Sequence, residues 1–188
     1  MVPRLTLLIL LVATSAARAG LDLLPTTVTE SSEGGSTTHL AFHDDGTQIT
    51  YYPPRGWTCE GSRDLASFSI PGYPTARAFI SSAPKLRAPA LDDKAERLIT
   101  KNPALLGLPK GATEISITTF TLNPLTIDSH HTLEIQMTYS FYGQKYERSL
   151  LLLDRKGAEV SFVLDCPAPD FPKLAPLFRR SLYLIDNL

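Results

Sequence analysis

The sequence predicts an α+β fold, an antiparallel β-sheet flanked by helices. Three observations predict it. Across 132–141, Leu133, Ile135, Met137, Tyr139 and Phe141 alternate with Thr132, Glu134, Gln136, Thr138 and Ser140. That period of two marks an antiparallel strand with one face in a core. Across 158–166, Ala158, Val160, Phe162, Leu164 and Cys166 repeat the pattern. Two other segments, near 91–101 and 171–185, place apolar residues at helical spacing instead.

The chain opens on a targeting signal. Arg4 supplies a positive n-region, Leu5 to Ala13 an apolar run, and Ala17-Arg18-Ala19 a small-x-small cleavage pattern. Residues 1–19 therefore read as a signal peptide, with Gly20 as the new N-terminus. The run falls short of the ~20 apolar residues of a membrane-spanning helix. Gly20 also stands where a lipoprotein would need a cysteine, so no stable membrane insertion is expected after cleavage. The expected compartment is periplasmic or secreted.

Cleavage leaves 169 residues, enough for one domain with a real core. It removes Arg4 and Arg18 and takes the net charge from −1 to −3. With mixed charges and no basic stripe, the chain carries no electrostatic footprint for nucleic acid. Residues 20–38 are rich in Thr, Ser, Glu and Gly and have no apolar period, so they read as a flexible leader. The single domain is expected over 39–188.

Within it, "THLAFHDDGTQITYYPP" reads as a hairpin turning at Asp45-Gly46. Leu40 and Phe42 share one face, and His39, Ala41 and His43 the other. Pro53 and Pro54 end the second strand, since neither donates a ladder hydrogen bond. Gly56 permits a sharp turn that aims Trp57 inward. "DLASFSI" and "TARAFISS" read as two short strands around the turn "PGYP".

The first helix carries Leu91, Ala95, Leu98 and Ile99 on one stripe, with Asp92 and Asp93 at the dipole-favoured start. Asn102-Pro103 stops it. "PALLGLPKG" is a turn or helical fragment. The long strand at 132–141 turns at Gly143-Gln144 into "KYERSLLLLD". A second turn at "DRKG" leads to "AEVSFVLDC". The last helix takes Asp170 as N-cap and Pro172 in its first turn. Its stripe is Phe171, Leu174, Leu177, Phe178, Leu182 and Ile185, Arg179 and Arg180 point to water, and Pro176 bends it.

Cys59 and Cys166, the only thiols, read either as one disulfide or as two buried free thiols. A bridge between them would close a loop of about 108 residues, for about 4–5 kcal/mol. Chemistry-bearing constellations are sparse. No serine sits in a G-x-S-x-G elbow. His39 and His43 on one strand lie about 13 Å apart, and His130 and His131 point to opposite faces. No metal site and no cofactor is expected. Tyr73, between Gly72 and Pro74 on a turn, and Arg77 are the candidate binding residues, an exposed aromatic with a cationic rim.

The order of parts resembles the PsbP-like family, which takes in the photosystem oxygen-evolving accessory protein, a nuclear Ran-binding relative and the periplasmic DcrB group. The residues that carry the resemblance are the opening Pro54-Arg55-Gly56-Trp57 and the strand-to-helix close from Val160 to Leu182. It spans nearly all of the chain after the leader. It implies an α/β/α sandwich and a non-catalytic accessory or assembly role in binding another envelope or secreted protein. Trp57 and Gly56 carry over as fold positions, and no functional residue does. Two alternatives stand beside this reading. One is a small exported hydrolase whose Ser or Cys meets a histidine in space. The other is a carrier for a small ligand in a groove between sheet and helix.

Overall fold

The computed structural model describes residues 21–33, 35–84, 94–127, 129–155 and 158–188. Among these described residues, ten strands and two helices run in the order β1 (Leu21–Ser32), β2 (Gly35–Asp44), β3 (Thr47–Tyr51), β4 (Thr58–Ser62), β5 (Leu65–Ser69), β6 (Arg77–Pro84), α1 (Ala95–Lys101), β7 (Thr113–Leu122), β8 (Thr132–Phe141), β9 (Gln144–Arg155), β10 (Ala158–Pro167) and α2 (Phe171–Leu182). A 3-10 turn, Pro103–Leu106, follows α1. Seven strands form one antiparallel sheet in the order β4-β5-β6-β10-β9-β8-β7, and β1-β2-β3 form a second. The α+β class is the fold observed. Among the described residues no helix is long and apolar enough to cross a membrane.

Both faces of the large sheet are buried. Val160, Phe162, Leu164 and Cys166 of β10 join Leu151 and Leu153 of β9 in a core closed by the small sheet and by α2. The intervening Val163, with Leu150, Leu152, Ile135 and Met137, faces a second core closed by α1 and the 3-10 turn. The helices thus cover opposite faces. In the first core Trp57 stacks on Phe178 of α2, ring centroids 6.1 Å apart, and tilts against Phe68. Tyr51, fully buried, donates its hydroxyl to Ser181 Oγ at 2.8 Å, and Ser181 donates onward to the Phe178 carbonyl at 2.6 Å. These contacts tie β3 to α2.

The structure departs from the sequence reading at several elements. Residues expected as a flexible leader form β1, which pairs with β2 from Leu21↔Asp44 to Ser32↔Gly35. Leu21 and Leu23 are buried in the first core. Leu23 N–H donates to Arg63 O at 2.9 Å, next to the edge strand β4. At Gly61 of β4 an added Cβ would stand 2.9 Å from both Leu23 O and Pro25 Cδ, so β1 lies against backbone that only glycine leaves bare. The two leucines are too few to make a period, but they fit a core that the later strands create. β7 was not anticipated either: its Thr- and Ser-rich sequence is mostly exposed and lacks a clean alternation.

On β8 the supposed solvent face is covered as well: Glu134 is reached from α2, and the buried Thr132 donates its hydroxyl to the Leu125 carbonyl of the β7–β8 loop. Arg179, expected in water, reaches Glu134 Oε2 at 2.6 Å. In α2, Leu174, Phe178 and Leu182 are buried, Leu177 is half exposed, and Ile185 lies beyond the helix. Asp170 occupies the N-cap position without a side-chain capping bond. α1 buries only Ala95 and Ile99, and Leu98 is exposed. Leu91, Asp92 and Asp93, and the turn glycine Gly157, lie outside the described residues. His39 and Ala41, on the strand face opposite Leu40 and Phe42, are buried as well.

Cys59 and Cys166 are both free thiols. The strand order explains why the expected bridge is missing. The ladder runs from Cys59 to Phe68, to Ala78, to Leu164, so β4 and β10 stand three strand spacings apart. That is about 14 Å, against the ~4.4–6.8 Å between Cα atoms that a disulfide needs.

Burial of Trp57 between Phe68 and α2 gives a direct expectation. Trp57→Ala should cost about 3–5 kcal/mol by urea midpoint. A loss under ~1 kcal/mol would remove Trp57 from the core.

Candidate functional site

The β8–β9 hairpin ends in an exposed aromatic. The last pair of the ladder is Phe141↔Gln144, so the two turn residues are Tyr142 and Gly143, one place earlier than the Gly143-Gln144 turn expected from sequence. Both have positive φ, 47° and 76°. Such a turn matches the strand twist and favours Asn-Gly or Gly-Gly. A left-handed backbone costs an ordinary L-residue ~1–2 kcal/mol. Tyr142 nevertheless sits there, with 93% of its surface in solvent.

Behind it runs a ladder of rings. Phe141 meets Tyr142 at 4.4 Å, Tyr146 crosses Phe141 edge-on at 6.3 Å, and Tyr146 stacks on Tyr139 at 5.5 Å. The ladder rests on a buried ionic knot. Tyr139 donates its hydroxyl to Asp165 Oδ1 at 2.5 Å, and Arg148 Nη2 donates to Asp165 Oδ2 at 2.7 Å. Arg148 Nη1 also donates to the carbonyls of Leu106 and Gly107, at 3.0 and 2.8 Å. Burial first, then the hydrogen bond and charge of Asp165, push the Tyr139 phenol well above its usual pKa, so it remains a donor. The result is an exposed aromatic tip backed by packed rings on a buried ion pair. Beside it a groove of about 390 Å³ carries Glu114, Lys145 and Glu147, which supply charges of both signs.

A second concavity, about 440 Å³, is formed where the chain leaves β3 and enters β4. Its walls include Leu40, Pro53, Pro54 and Trp57, with His39, Arg55 and three threonines as polar groups. Cys59 lines it too. Burial, then the charge of Glu60, push this thiol up to about 11, and burial, with Asp165, Asp170 and Glu147, pushes Cys166 up to about 12. A nucleophilic cysteine needs the opposite shift.

The predicted binding residues do not come together at either place. Tyr73 is half-buried, its ring packed on the first core. Arg77 is exposed at the head of β6. Of the histidines, His131 Nδ1 is engaged by Asn123 Oδ1 at 3.0 Å, and neither buried ring nitrogen of His39 has a hydrogen-bond partner among the described residues. Among the described residues no group of three His, Cys, Asp or Glu side chains could hold a metal ion. Sequence reading missed Tyr142, whose signal is the dipeptide Tyr-Gly closing a strand that otherwise alternates cleanly. It also missed the Arg148–Asp165 pair, which looked like the polar side of two ordinary strands.

No protein-family model matches the chain, and no curated protein matches it. Among solved structures it is similar to a protein of unknown function from Pseudomonas aeruginosa, with 11% identity over 86% of this chain and 97% of that one, at a TM-score of 0.50. It is also similar to LpqN of Mycobacterium tuberculosis, involved in cell envelope biogenesis, with 13% identity over 85% and 87% of the two chains, at 0.48. A third similar structure is the PsbP of the cyanobacterium Synechocystis, with 11% identity over 92% and 95%, at 0.44. At these identities the likeness is one of fold.

The raised thiol pKa values set a pH window. Folding favours the neutral thiols, so their contribution is full below the ordinary value near 9 and falls as pH rises through about 11 and 12. Iodoacetamide near neutral pH should leave Cys166 unlabelled in the native protein and alkylate both cysteines once urea unfolds it. An unlabelled, unreduced product lighter by two hydrogens would show a disulfide and overturn the free-thiol assignment.

Proposed function

We propose that the protein is an exported, non-catalytic accessory or assembly protein that docks another envelope or secreted protein on the aromatic tip of the β8–β9 hairpin. Export rests on the n-region, apolar run and Ala17-Arg18-Ala19 pattern at the N-terminus. Docking rests on one observation: Tyr142 holds a backbone conformation that costs it energy and, in this chain, leaves 93% of its surface in water. Strain without a folding reward points to a reward elsewhere. Tyrosine is the side chain that repays such placement at an interface, since it brings large rigid area and a hydroxyl at low entropy cost. The ring ladder to Tyr139 holds it ready, which lowers the cost of ordering on contact. The contact is assigned to Tyr142 rather than Tyr73, whose ring already packs on the core.

Tyr142→Asn separates function from folding. Asn-Gly is the favoured pair for this turn, so the variant should be as stable as the parent or up to about 1 kcal/mol more stable. Pull-down from an envelope extract should recover a partner with the parent protein, and binding to the variant should weaken at least about tenfold. Equal recovery by both proteins, or no partner for the parent, would overturn the proposal.

A further inference from the structure

The solvent side of α2 alternates apolar residues with cations. Leu174, Phe178 and Leu182 face the core. Turned away from them, Leu177, Tyr183 and Leu184 leave 50%, 58% and 49% of their surface exposed. At about 100° per residue, Lys173, Leu177, Arg180 and Leu184 fall within about 60° of one another, with Pro176 and Tyr183 alongside. Tyr183, the C-cap, keeps helical backbone angles, and Leu184 N–H donates to Ser181 O at 3.1 Å, so the stripe runs on past the helix end. Lys173 and Arg180 are exposed and form no ion pair among the described residues. Arg179, the third cation, is already held by Glu134. No acidic residue stands between Phe171 and Ile185, and Asp170 and Asp186 lie beyond the two ends.

We infer that this stripe rests on an anionic phospholipid surface, with Lys173 and Arg180 on phosphates, Leu177 and Leu184 in the acyl boundary and Tyr183 at headgroup depth. The pattern selects that occupant. Its cations call for negative charge and its leucines for an apolar medium, in alternation along about 16 Å of helix. A bilayer surface supplies both along any such line without a matching shape, and helices that lie in the interface carry this composition. Tyrosine is a ring that prefers the boundary itself. The inner face of α2 stays in the core, so the contact is shallow and peripheral. Two cations and two half-exposed leucines make it reversible. It follows from charge and exposure on α2 and does not depend on the docking reading at the β8–β9 tip.

Residues 20–188 hold every described element, and their use keeps the apolar run of Leu5 to Ala13 from binding lipid by itself. The probe is sucrose-loaded vesicles of equal parts phosphatidylglycerol and phosphatidylcholine at about 1 mM lipid, with pure phosphatidylcholine vesicles as the control. The protein should sediment saturably with the first and bind the second at least about tenfold more weakly. Arg180→Gln and Leu177→Gln, both at exposed positions, should keep the parent's urea midpoint. Each should weaken binding about fivefold, one by losing a cation and the other by losing apolar contact. Tyr142→Asn, at the tip, should bind the vesicles as the parent does. No binding to the anionic vesicles, equal binding to both kinds, or loss in Tyr142→Asn would each overturn the inference. Unchanged affinity in Leu177→Gln would overturn it too, leaving only diffuse attraction between charges. Absent vesicle binding, with a protein from an envelope extract that Leu177→Gln fails to hold, would assign the stripe to a protein partner instead.

Discussion

The central strands of the large sheet face two cores at once, and the rest of the molecule is arranged to meet that demand. In β10, Phe162 and Leu164 point to one side and Val163 to the other, and none can be left in water. At roughly 25 cal/mol per Å² of apolar surface, leaving either face bare would forgo much of the folding energy of a domain this size. One cover is therefore not enough. The small sheet and α2 close the first face, and α1 with its 3-10 turn closes the second.

Each cover is held by at least one buried or half-buried charge pair reaching out of the sheet. Arg179 comes down from α2 to Glu134 of β8. On the opposite face Arg148 of β9 pairs with Asp165 of β10 and carries the carbonyls of Leu106 and Gly107. Such pairs add little net stability, because desolvation offsets most of their attraction. Their effect is positional. A helix on an apolar face can slide by a turn at small cost, whereas a guanidinium on two carbonyls and a carboxylate fits one register only.

The candidate sites lie where the covers end. The β8–β9 hairpin carries its ring ladder outward from the Arg148–Asp165 knot to the exposed Tyr142. The groove arises at the opposite kind of boundary. There Pro53 and Pro54 stop the β3 ladder and Gly56, with φ of 84°, turns the chain toward Trp57. The segment from Ile49 to Gly61 therefore has two duties. Ile49, Tyr51 and Trp57 fill the core, and the prolines and Arg55 between them form a wall facing solvent.

The sequence by itself determined the elements whose period is set by a large apolar contrast: β8, β10, the hairpin of β2 and β3, and α2. It also determined the α+β class, and it placed Trp57 inside. It did not disclose β1 or β7, because edge strands bury few side chains and so need little pattern. Nor did it disclose the partners of Glu134, Arg148 and Asp165. A charged residue in a strand reads as solvent-facing until another element is known to lie over it, and that element is supplied by residues 17 to 45 positions away. The separation of Cys59 from Cys166, the isolation of His39 and the exposure of Tyr142 belong to the same class. Each depends on strand order or on a one-residue choice of turn, and these are settled only when distant strands compete for the same neighbours.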